Sequence, residues 1–235
     1  MCRGGKDIFM KLISMYTESH RVFKDNWFLP SLKDDYEVDM SFCEEQGGAY
    51  MEESWCRAVT FKVETIVRGI KNNWGEIFLY SDVDIQFFRP TKALLLSAIE
   101  GFDIVCQRDD PSGVLCAGFW VARANHRVLR LWENVRRSIY DVRDDQKLMN
   151  LSLRMRRRRK LLYVLRNLTG CYRYAYLPDI FYGGGTITGK HWVEGMPLPV
   201  PEGIVMHHAN YVEGIGRKIA QLEYVKNIVG NRADK

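Results

Sequence analysis

The sequence predicts one α/β domain in which a mostly parallel central sheet is covered by helices on both faces. Short apolar runs typical of strands alternate with segments of helical periodicity over most of the 235 residues, and this alternation favours parallel strands joined by helices. No internal repeat, low-complexity tract or linker-like break interrupts the pattern. With 46% hydrophobic and 12% aromatic residues, the chain has enough apolar surface to offset the entropy cost of ordering, which excludes a disordered or fibrous protein.

The beginning of the chain predicts two strands on either side of a short helix. Residues 8–16 form an apolar run typical of a buried strand. Residues 18–28 predict a helix that stops at Pro30, and the weak alternation over residues 36–42 predicts a second strand.

A long amphipathic helix is predicted over residues 55–73. Its apolar positions recur at helical spacing with charges between them, and they are Val59, Val63, Ile66, Val67 and Ile70. Gly75 lies just beyond the expected end, where glycine commonly terminates helices. Residues 76–80 then form a short apolar strand that leads directly into two aspartates.

The rest of the chain continues the alternation. The predicted elements are, in order, a helix at residues 91–100, strands at 102–107 and 116–123, a helix at 125–140, a charged stretch at 141–160, a strand at 204–208 and a helix at 217–229.

The strongest sign of function is the pair Asp82 and Asp84, which directly follows the strand at residues 76–80. Ligands of α/β sheets bind beyond the carboxyl ends of strands. Unpaired buried carboxylates are very costly, so this pair must be solvated, paired or bound to metal. Oxygen ligands suit Mg²⁺ or Mn²⁺, which often hold phosphate oxygens as well. The alternative interpretation is a solvated turn at the end of a strand.

A second sign is an apolar strand that ends in His207 and His208. Either imidazole could add a nitrogen ligand to a cation held by carboxylates, and the later Arg217 and Lys218 could neutralise phosphate charge. Histidines in this position are also common as ordinary core or surface residues.

Two classes of enzyme place an Asp-x-Asp motif after a strand. Phosphatases of the haloacid dehalogenase type also need a later Gly-Asp segment, and no Gly-Asp pair follows here. Nucleotide-sugar glycosyltransferases fit better. The motifs that carry this resemblance, in chain order, are residues 80–88 (YSDVDIQFF), 116–119 (CAGF), 145–146 (DQ), 181–185 (FYGGG) and 207–210 (HHAN).

Together these motifs resemble the metal-dependent nucleotide-diphospho-sugar transferases of the GT-A fold, over roughly residues 8–226. The resemblance implies a single Rossmann-like domain, residues 1–235, with a nucleotide-binding part at about 8–110 and an acceptor-side part at about 111–230. It implies that the protein transfers a hexose or a pentose to a hydroxyl of a glycan or glycoconjugate with retention of configuration. The expected donor is a UDP-sugar.

The resemblance also implies a role for individual residues. The metal ligands for Mn²⁺ or Mg²⁺ are Asp82, Asp84 and His207, with His208 as the alternative. The nucleotide-binding residues are Ser14, Met15, Tyr16, Thr17, Lys62, Asp82 and Lys218. The donor-sugar residues are Ala117, Gly118 and Asp145, and the catalytic residues are Asp145 and Gln146. The candidate acceptor residues are Gly183 and Gly184, which could form a flexible loop or an ordinary turn, and Trp192, which could stack on a sugar ring or pack in the core.

The role of Asp145 stays open at this point. Its carboxylate could attack the donor sugar, stabilise positive charge on the sugar ring or position the acceptor. It could also be an ordinary carboxylate at a helix N-terminus, where the helix dipole favours negative charge.

The net charge of +5 is concentrated in the basic run of residues 154–160. This run favours a solvated helix end or loop, with peripheral contact to an anionic membrane and nuclear localisation as alternatives. A non-catalytic module that uses the run to bind an anionic ligand or nucleic acid is the competing function. Aromatic residues are not interleaved with the arginines, so no nucleic-acid partner is expected.

The longest nearly uncharged apolar run, residues 114–122, is far shorter than the ~20 residues of a membrane span. Without an export signal the expected location is the cytoplasm, or the Golgi lumen if a membrane anchor precedes this sequence.

Overall fold

The computed structural model describes residues 10–45, 52–158 and 172–233. Six described strands form the central sheet, in the order β2-β1-β3-β6-β5-β7, and three more form a small sheet in the order β4-β9-β8. The strands are β1 Lys11–Thr17, β2 Glu37–Cys43, β3 Ile77–Ser81, β4 Ile85–Phe87, β5 Ile104–Arg108, β6 Leu115–Arg123, β7 Tyr174–Tyr176, β8 Phe181–Gly183 and β9 Met206–His208.

Helices connect β2 to β3, β4 to β5 and β6 to β7, and the last helix follows β9. The longer ones are α1 Glu53–Asn72, α2 Lys92–Ala98, α3 His126–Val142, α4 Asp145–Arg158 and α5 Ile215–Ala233. Between β1 and β2 the chain forms an irregular helical segment of short turns, Glu18–His20, Arg21–Phe23, Lys24–Phe28 and Leu29–Ser31. Within the described residues, no helix combines the length and apolar character that crossing a membrane requires.

The prediction of a mostly parallel sheet is confirmed, with one strand reversed. Five strands of the central sheet run in the same direction, whereas β6 is antiparallel to both β3 and β5. The connection from β5 to β6 spans only residues 109–114. A parallel pair needs a crossover of a dozen or more residues, so a connection this short requires an antiparallel pair.

The two faces of the central sheet bury separate apolar clusters. Consecutive residues of β3 point to opposite faces, so Phe78 and Tyr80 pack under α1, α3 and α4, while Leu79 packs toward α5 and the small sheet. Trp120 of β6 stacks on Trp132 of α3 with ring centroids 5.2 Å apart. Both faces are therefore covered, as the sequence predicts.

The small sheet determines where the C-terminal part of the chain meets the Asp-x-Asp segment. Strand β4 directly follows Asp84 and pairs antiparallel with β9, with Ile85 opposite His208. The amide of Ala209 also donates to the carbonyl of Asp84 at 2.9 Å. Residues more than 120 positions apart are thereby held side by side.

Several expectations need correction. Residues 145–158, described above only as a charged stretch with a helix N-terminus at Asp145 as one alternative, form helix α4. The Asp144 carboxylate accepts a hydrogen bond from the amide of Lys147 and so caps the first turn. The helical segment before β2 runs past Pro30 to Ser31, because proline is tolerated in a first helical turn. Strands β4, β7 and β8, each three residues long, were not predicted. The basic run lies at the end of α4 and, from residue 159, outside the described residues.

Candidate active site

A cleft of about 520 Å³ opens at the carboxyl ends of β1 and β3, which is where ligands of α/β sheets bind. Eleven of the predicted site residues line it: Met15, Tyr16, Thr17, Lys62, Asp82, Asp84, Ala117, Gly118, Asp145, Gln146 and Lys218. His208, the alternative metal ligand, also lines the cleft, and the lining residues that were not predicted include His20, Asp109, Cys116, Asn210 and Tyr211. The sequence therefore located the cleft but only part of its wall.

Three potential metal ligands converge in this cleft. One ligand atom each from Asp82, Asp84 and His208 lies within 4.8 Å of the others. The Nε2 atom of His208 is 3.4 Å from Oδ1 of Asp84. Two carboxylates and one imidazole form a donor set that suits Mn²⁺ or Mg²⁺.

The structure places His208, not His207, beside the aspartates. Neighbouring residues of a strand point to opposite faces, so β9 directs only one of the two imidazoles into the cleft. His207 is fully buried against the ring of Tyr182, 5.7 Å away between centroids. Burial, and then the nearby His208, lower the pKa of His207 to about 3. We therefore reassign the candidate metal ligand from His207 to His208.

Gly118 of β6 makes this convergence possible. Its carbonyl accepts a hydrogen bond from the amide of Asp82 at 2.7 Å, which holds β6 against the Asp-x-Asp segment. A Cβ at this position would lie 2.5 Å from Oδ2 of Asp82 and 2.7 Å from Cε1 of His208. Only glycine leaves both side chains where they are, so the residues present fit a bound divalent ion.

Two lysines balance the acidic groups. Lys62 of α1 bridges Asp82, at 3.0 Å, and Asp145, at 3.2 Å. Burial alone would lower the pKa of Lys62, but Asp145 and Asp82 outweigh it and raise that pKa well above its usual value. The pKa of Asp82 is also raised, in this case because burial disfavours its charged form more than Lys62 favours it.

Lys218 of α5 forms an ion pair with Oδ2 of Asp84. Burial would raise the pKa of the Asp84 carboxyl, but the ammonium group of Lys218 opposes burial most strongly, and the pKa lies well below its usual value. Asp84 is thus an ionised group at the centre of the cluster, as metal binding requires.

The Asp-Gln pair at the start of α4 is tied to β6 and to a second acidic residue. Oε1 of Gln146 accepts from the amide of Ala117 at 3.0 Å, and its Nε2 donates to Asp109 at 2.7 Å. Asn210 donates to the other oxygen of Asp109 at 2.9 Å. Burial raises the pKa of Asp109, although both amides oppose the shift.

Asp109 is a site residue that the sequence reasoning missed, although a signal was present. It directly follows β5, just as Asp82 directly follows β3, and these two strands run in the same direction in one sheet. Asp109, like Asp82, is therefore a carboxylate beyond the carboxyl end of a strand, where ligands of such sheets bind.

The predicted acceptor residues do not line the cleft. Trp192 is 2% exposed, and its Nε1 donates to the carbonyl of Met196 at 2.8 Å, so it belongs to the core. Gly183 and Gly184 are buried; a Cβ on Gly184 would lie 2.6 Å from Nε2 of Gln221. These glycines permit close packing behind the site rather than forming a flexible loop.

Two aromatic side chains occupy that side of the cleft instead. His191 and Tyr211 line it, with ring centroids 5.6 Å apart. Tyr211 has a φ of 54°, a left-handed conformation that is unusual for a bulky residue. Its hydroxyl donates to Oδ2 of Asp110 at 3.3 Å, and its ring packs where a side chain on Gly185 would have to go.

The end of β1 forms the opposite wall. Met15, Tyr16 and Thr17 line the cleft as predicted, whereas Ser14 is fully buried. His20, also a lining residue, contacts the hydroxyl of Thr17 through Nδ1 at 3.0 Å. Burial, and then Lys218, lower the pKa of His20 to about 4.

The chain belongs to the nucleotide-diphospho-sugar transferase family, whose model matches residues 31–222. No curated protein matches it in sequence.

Two solved glycosyltransferases share the fold. The apo structure of the bifunctional glycosyltransferase WbbM matches 89% of this chain with a TM-score of 0.52 and 10% identity. The match covers only 47% of WbbM, so this chain spans about half the length of that protein. A glycosyltransferase involved in the glycosylation of the major capsid of PBCV-1 also gives a TM-score of 0.52 and 10% identity, over 92% of this chain and 99% of that one. At this identity the likeness shows the fold alone, and it confirms the predicted GT-A architecture.

Proposed function

We propose that the protein is a metal-dependent glycosyltransferase that moves a sugar from a UDP-sugar to a hydroxyl of a glycan or glycoconjugate, with retention of configuration. The observation that carries the proposal is the convergence of Asp82, Asp84 and His208 in the cleft of a chain from this family. These three residues would hold Mn²⁺ or Mg²⁺. When bound, the divalent ion supplies positive charge that stabilises a diphosphate leaving group.

The nucleotide occupies the side of the cleft formed by β1. Met15, Tyr16 and Thr17 contact the base and ribose in this proposal, and His20 faces the phosphates beside Lys218. The ammonium group of Lys218 reaches the cleft from α5, so it can neutralise diphosphate charge as well as pair with Asp84.

The donor sugar lies between β6 and α4. Asp109 is held by two amide donors, from Gln146 and Asn210, and a carboxylate has further acceptor positions that can receive sugar hydroxyls. Lys62 forms an ion pair with Asp145 at 3.2 Å. We assign Asp145 the task of stabilising the positive charge that develops on the sugar ring as the bond to phosphate breaks.

The acceptor binds against His191 and Tyr211. Aromatic faces pack well against the apolar faces of sugar rings, and the tyrosine also offers a polar hydroxyl. These two residues replace Trp192 as the proposed acceptor contacts. We keep the proposed division of the domain into a nucleotide-binding part at about residues 8–110 and an acceptor-side part at about residues 111–230.

The direct test is hydrolysis of nucleotide sugars by the purified protein. A panel of UDP-, GDP- and TDP-sugars is incubated with and without Mn²⁺, and the released nucleoside diphosphate is measured. We expect slow Mn²⁺-stimulated hydrolysis of a UDP-sugar with retention at the anomeric carbon, reduced ~100-fold or more by Asp84→Asn. The matched control is Asp35→Asn, which removes an exposed ion-pair carboxylate outside the cleft and should leave the rate unchanged.

If no member of the panel binds or is hydrolysed in the presence of Mn²⁺, the proposed function is wrong. If Asp84→Asn hydrolyses the nucleotide sugar at the wild-type rate, the proposed glycosyltransferase activity stands but its dependence on this metal site is wrong.

A further inference from the structure

Two adjacent histidines of β9 are each contacted by a buried glutamine. His208 faces the amide oxygen of its glutamine, whereas His207 faces the amide nitrogen of its own. Gln107, at the end of β5, is fully buried. Its Nε2 donates to the carbonyl of Phe181 at 3.1 Å, and its Oε1 lies 3.0 Å from Nδ1 of His208. A carbonyl can only accept a hydrogen bond, so Phe181 determines which end of the amide faces the imidazole.

The consequence is a defined proton position on His208. An amide oxygen also only accepts, so Nδ1 must carry a proton to donate to Gln107. In the neutral ring Nε2 then has a free lone pair, and this atom is the one beside Asp84, at 3.4 Å. The thiol of Cys116 also lies near Nδ1, at 3.6 Å, but sulfur is a weaker acceptor.

We propose that Gln107 is a positioning residue that fixes the tautomer and the ring orientation of His208, so that Nε2 is ready to bind the divalent ion. The inference rests on the proposed metal-dependent function. Metal-ligating histidines generally donate their other ring N–H to a partner that sets the tautomer, and loss of that partner typically weakens metal binding by about 10- to 100-fold.

Gln86 of β4 provides a matched control within the same chain. It is also buried, but its Nε2 donates to the carbonyl of Leu222 at 2.8 Å and faces Nδ1 of His207 at 3.3 Å. In this pair Nδ1 must accept, so the proton of neutral His207 is on Nε2. Removing the amide of Gln86 therefore disturbs a similar buried pair on the histidine that does not face the cleft.

The test compares Gln107→Met with Gln86→Met, since methionine keeps much of the shape of glutamine without its hydrogen bonds. Free Mn²⁺ is measured by electron paramagnetic resonance during titration of each variant, and thermal unfolding is followed in parallel. We expect both variants to lose stability. Only Gln107→Met should bind Mn²⁺ about 10- to 100-fold more weakly, and Gln86→Met should keep the wild-type affinity.

A second readout needs no metal and no activity. In ¹⁵N-histidine spectra of the metal-free wild-type protein at pH 8, His208 should carry its proton on Nδ1. In Gln107→Met the proton should shift toward Nε2, where Asp84 can accept it. This measurement on the wild-type protein decides the matter even if Gln107→Met fails to fold.

Wild-type affinity in Gln107→Met, or a wild-type His208 protonated only on Nε2, would overturn the role of Gln107 while leaving the metal site in place. Equal losses of affinity in Gln107→Met and Gln86→Met would assign both glutamines to general packing. A wild-type protein that binds no Mn²⁺ would overturn this inference together with the proposed function.

Discussion

Substitution of Gly118 by alanine should separate the candidate metal ligands. The added Cβ would lie 2.5 Å from the carboxylate of Asp82 and 2.7 Å from the ring of His208, whereas ordinary contacts begin at 3.4 Å. The two side chains must therefore retreat by about 0.9 Å and 0.7 Å. Metal–ligand distances tolerate only about ±0.2 Å, so these shifts are too large for the site to keep its coordination.

We expect Gly118→Ala to bind Mn²⁺ at least ~10-fold more weakly and to lose about 1–3 kcal/mol of stability through overpacking. Mn²⁺ titration followed by paramagnetic resonance measures the first quantity, and urea unfolding measures the second. Gly230→Ala is the matched control, because a Cβ there meets nothing within 4 Å. Gly230 lies in the last described turn of α5, so this change should add at most about 0.5–1 kcal/mol of stability and leave Mn²⁺ affinity unchanged. Unchanged affinity in Gly118→Ala would refute the reasoning that these groups share one ion.

Three further predictions concern groups around the cleft. Lys62→Met removes the ammonium between two carboxylates and should lower the free energy of unfolding by about 3–5 kcal/mol; a loss below 1 kcal/mol in urea unfolding would contradict this role. The pKa of His20 is lowered to about 4 in the native state, so between pH 7 and pH 5 the unfolded chain binds a proton at His20 that the native state does not. Stability should therefore fall by the order of 1 kcal/mol as the pH drops from 7 to 5, and His20→Gln should flatten that part of the pH profile; equal slopes would show that another group is responsible. Trp192→Phe should cost about 1–2 kcal/mol, because the carbonyl of Met196 loses its donor, yet leave the KM for a glycan acceptor unchanged, whereas Tyr211→Ala should raise it. An increase in that KM with Trp192→Phe would return tryptophan to the acceptor site.

The parts of the site that depend on local sequence were predictable. Asp82 and Asp84 follow an apolar strand, and polar groups beyond the carboxyl end of such a strand reach the ligand edge of the sheet whatever the rest of the chain does. Lys62 lies on the helix that precedes this strand, and its ammonium group reaches Asp82 at 3.0 Å. The family resemblance added Asp145 and Gln146, which the structure places in the cleft.

The parts that depend on register between distant strands were not predictable. Whether His207 or His208 faces the cleft depends on how β9 pairs with β4, and a slip of one residue exchanges their faces. Strand β4 itself is only three residues long, too short to show a periodic pattern. Trp192 illustrates a different difficulty, because a tryptophan near a binding loop has the same sequence signature whether it packs in the core or against a ligand.

The extent of helix α4 was not predicted, for a compositional reason. Its second half is dominated by arginine, so the charged run obscured the few apolar residues that pack against the sheet, among them Leu148, Met149 and Leu153. The helix matters for the site, since its first turn carries Asp145 and Gln146.

The central claim is that one divalent ion is bound jointly by Asp82, Asp84 and His208. The most direct measurement is a crystal structure of the protein with Mn²⁺ and UDP, in which anomalous scattering locates the manganese. We expect the anomalous peak of manganese to lie between these three side chains, with the diphosphate beside it and Lys218 turned toward a phosphate oxygen. A manganese peak elsewhere in the cleft, or bound by His207 instead of His208, would contradict it.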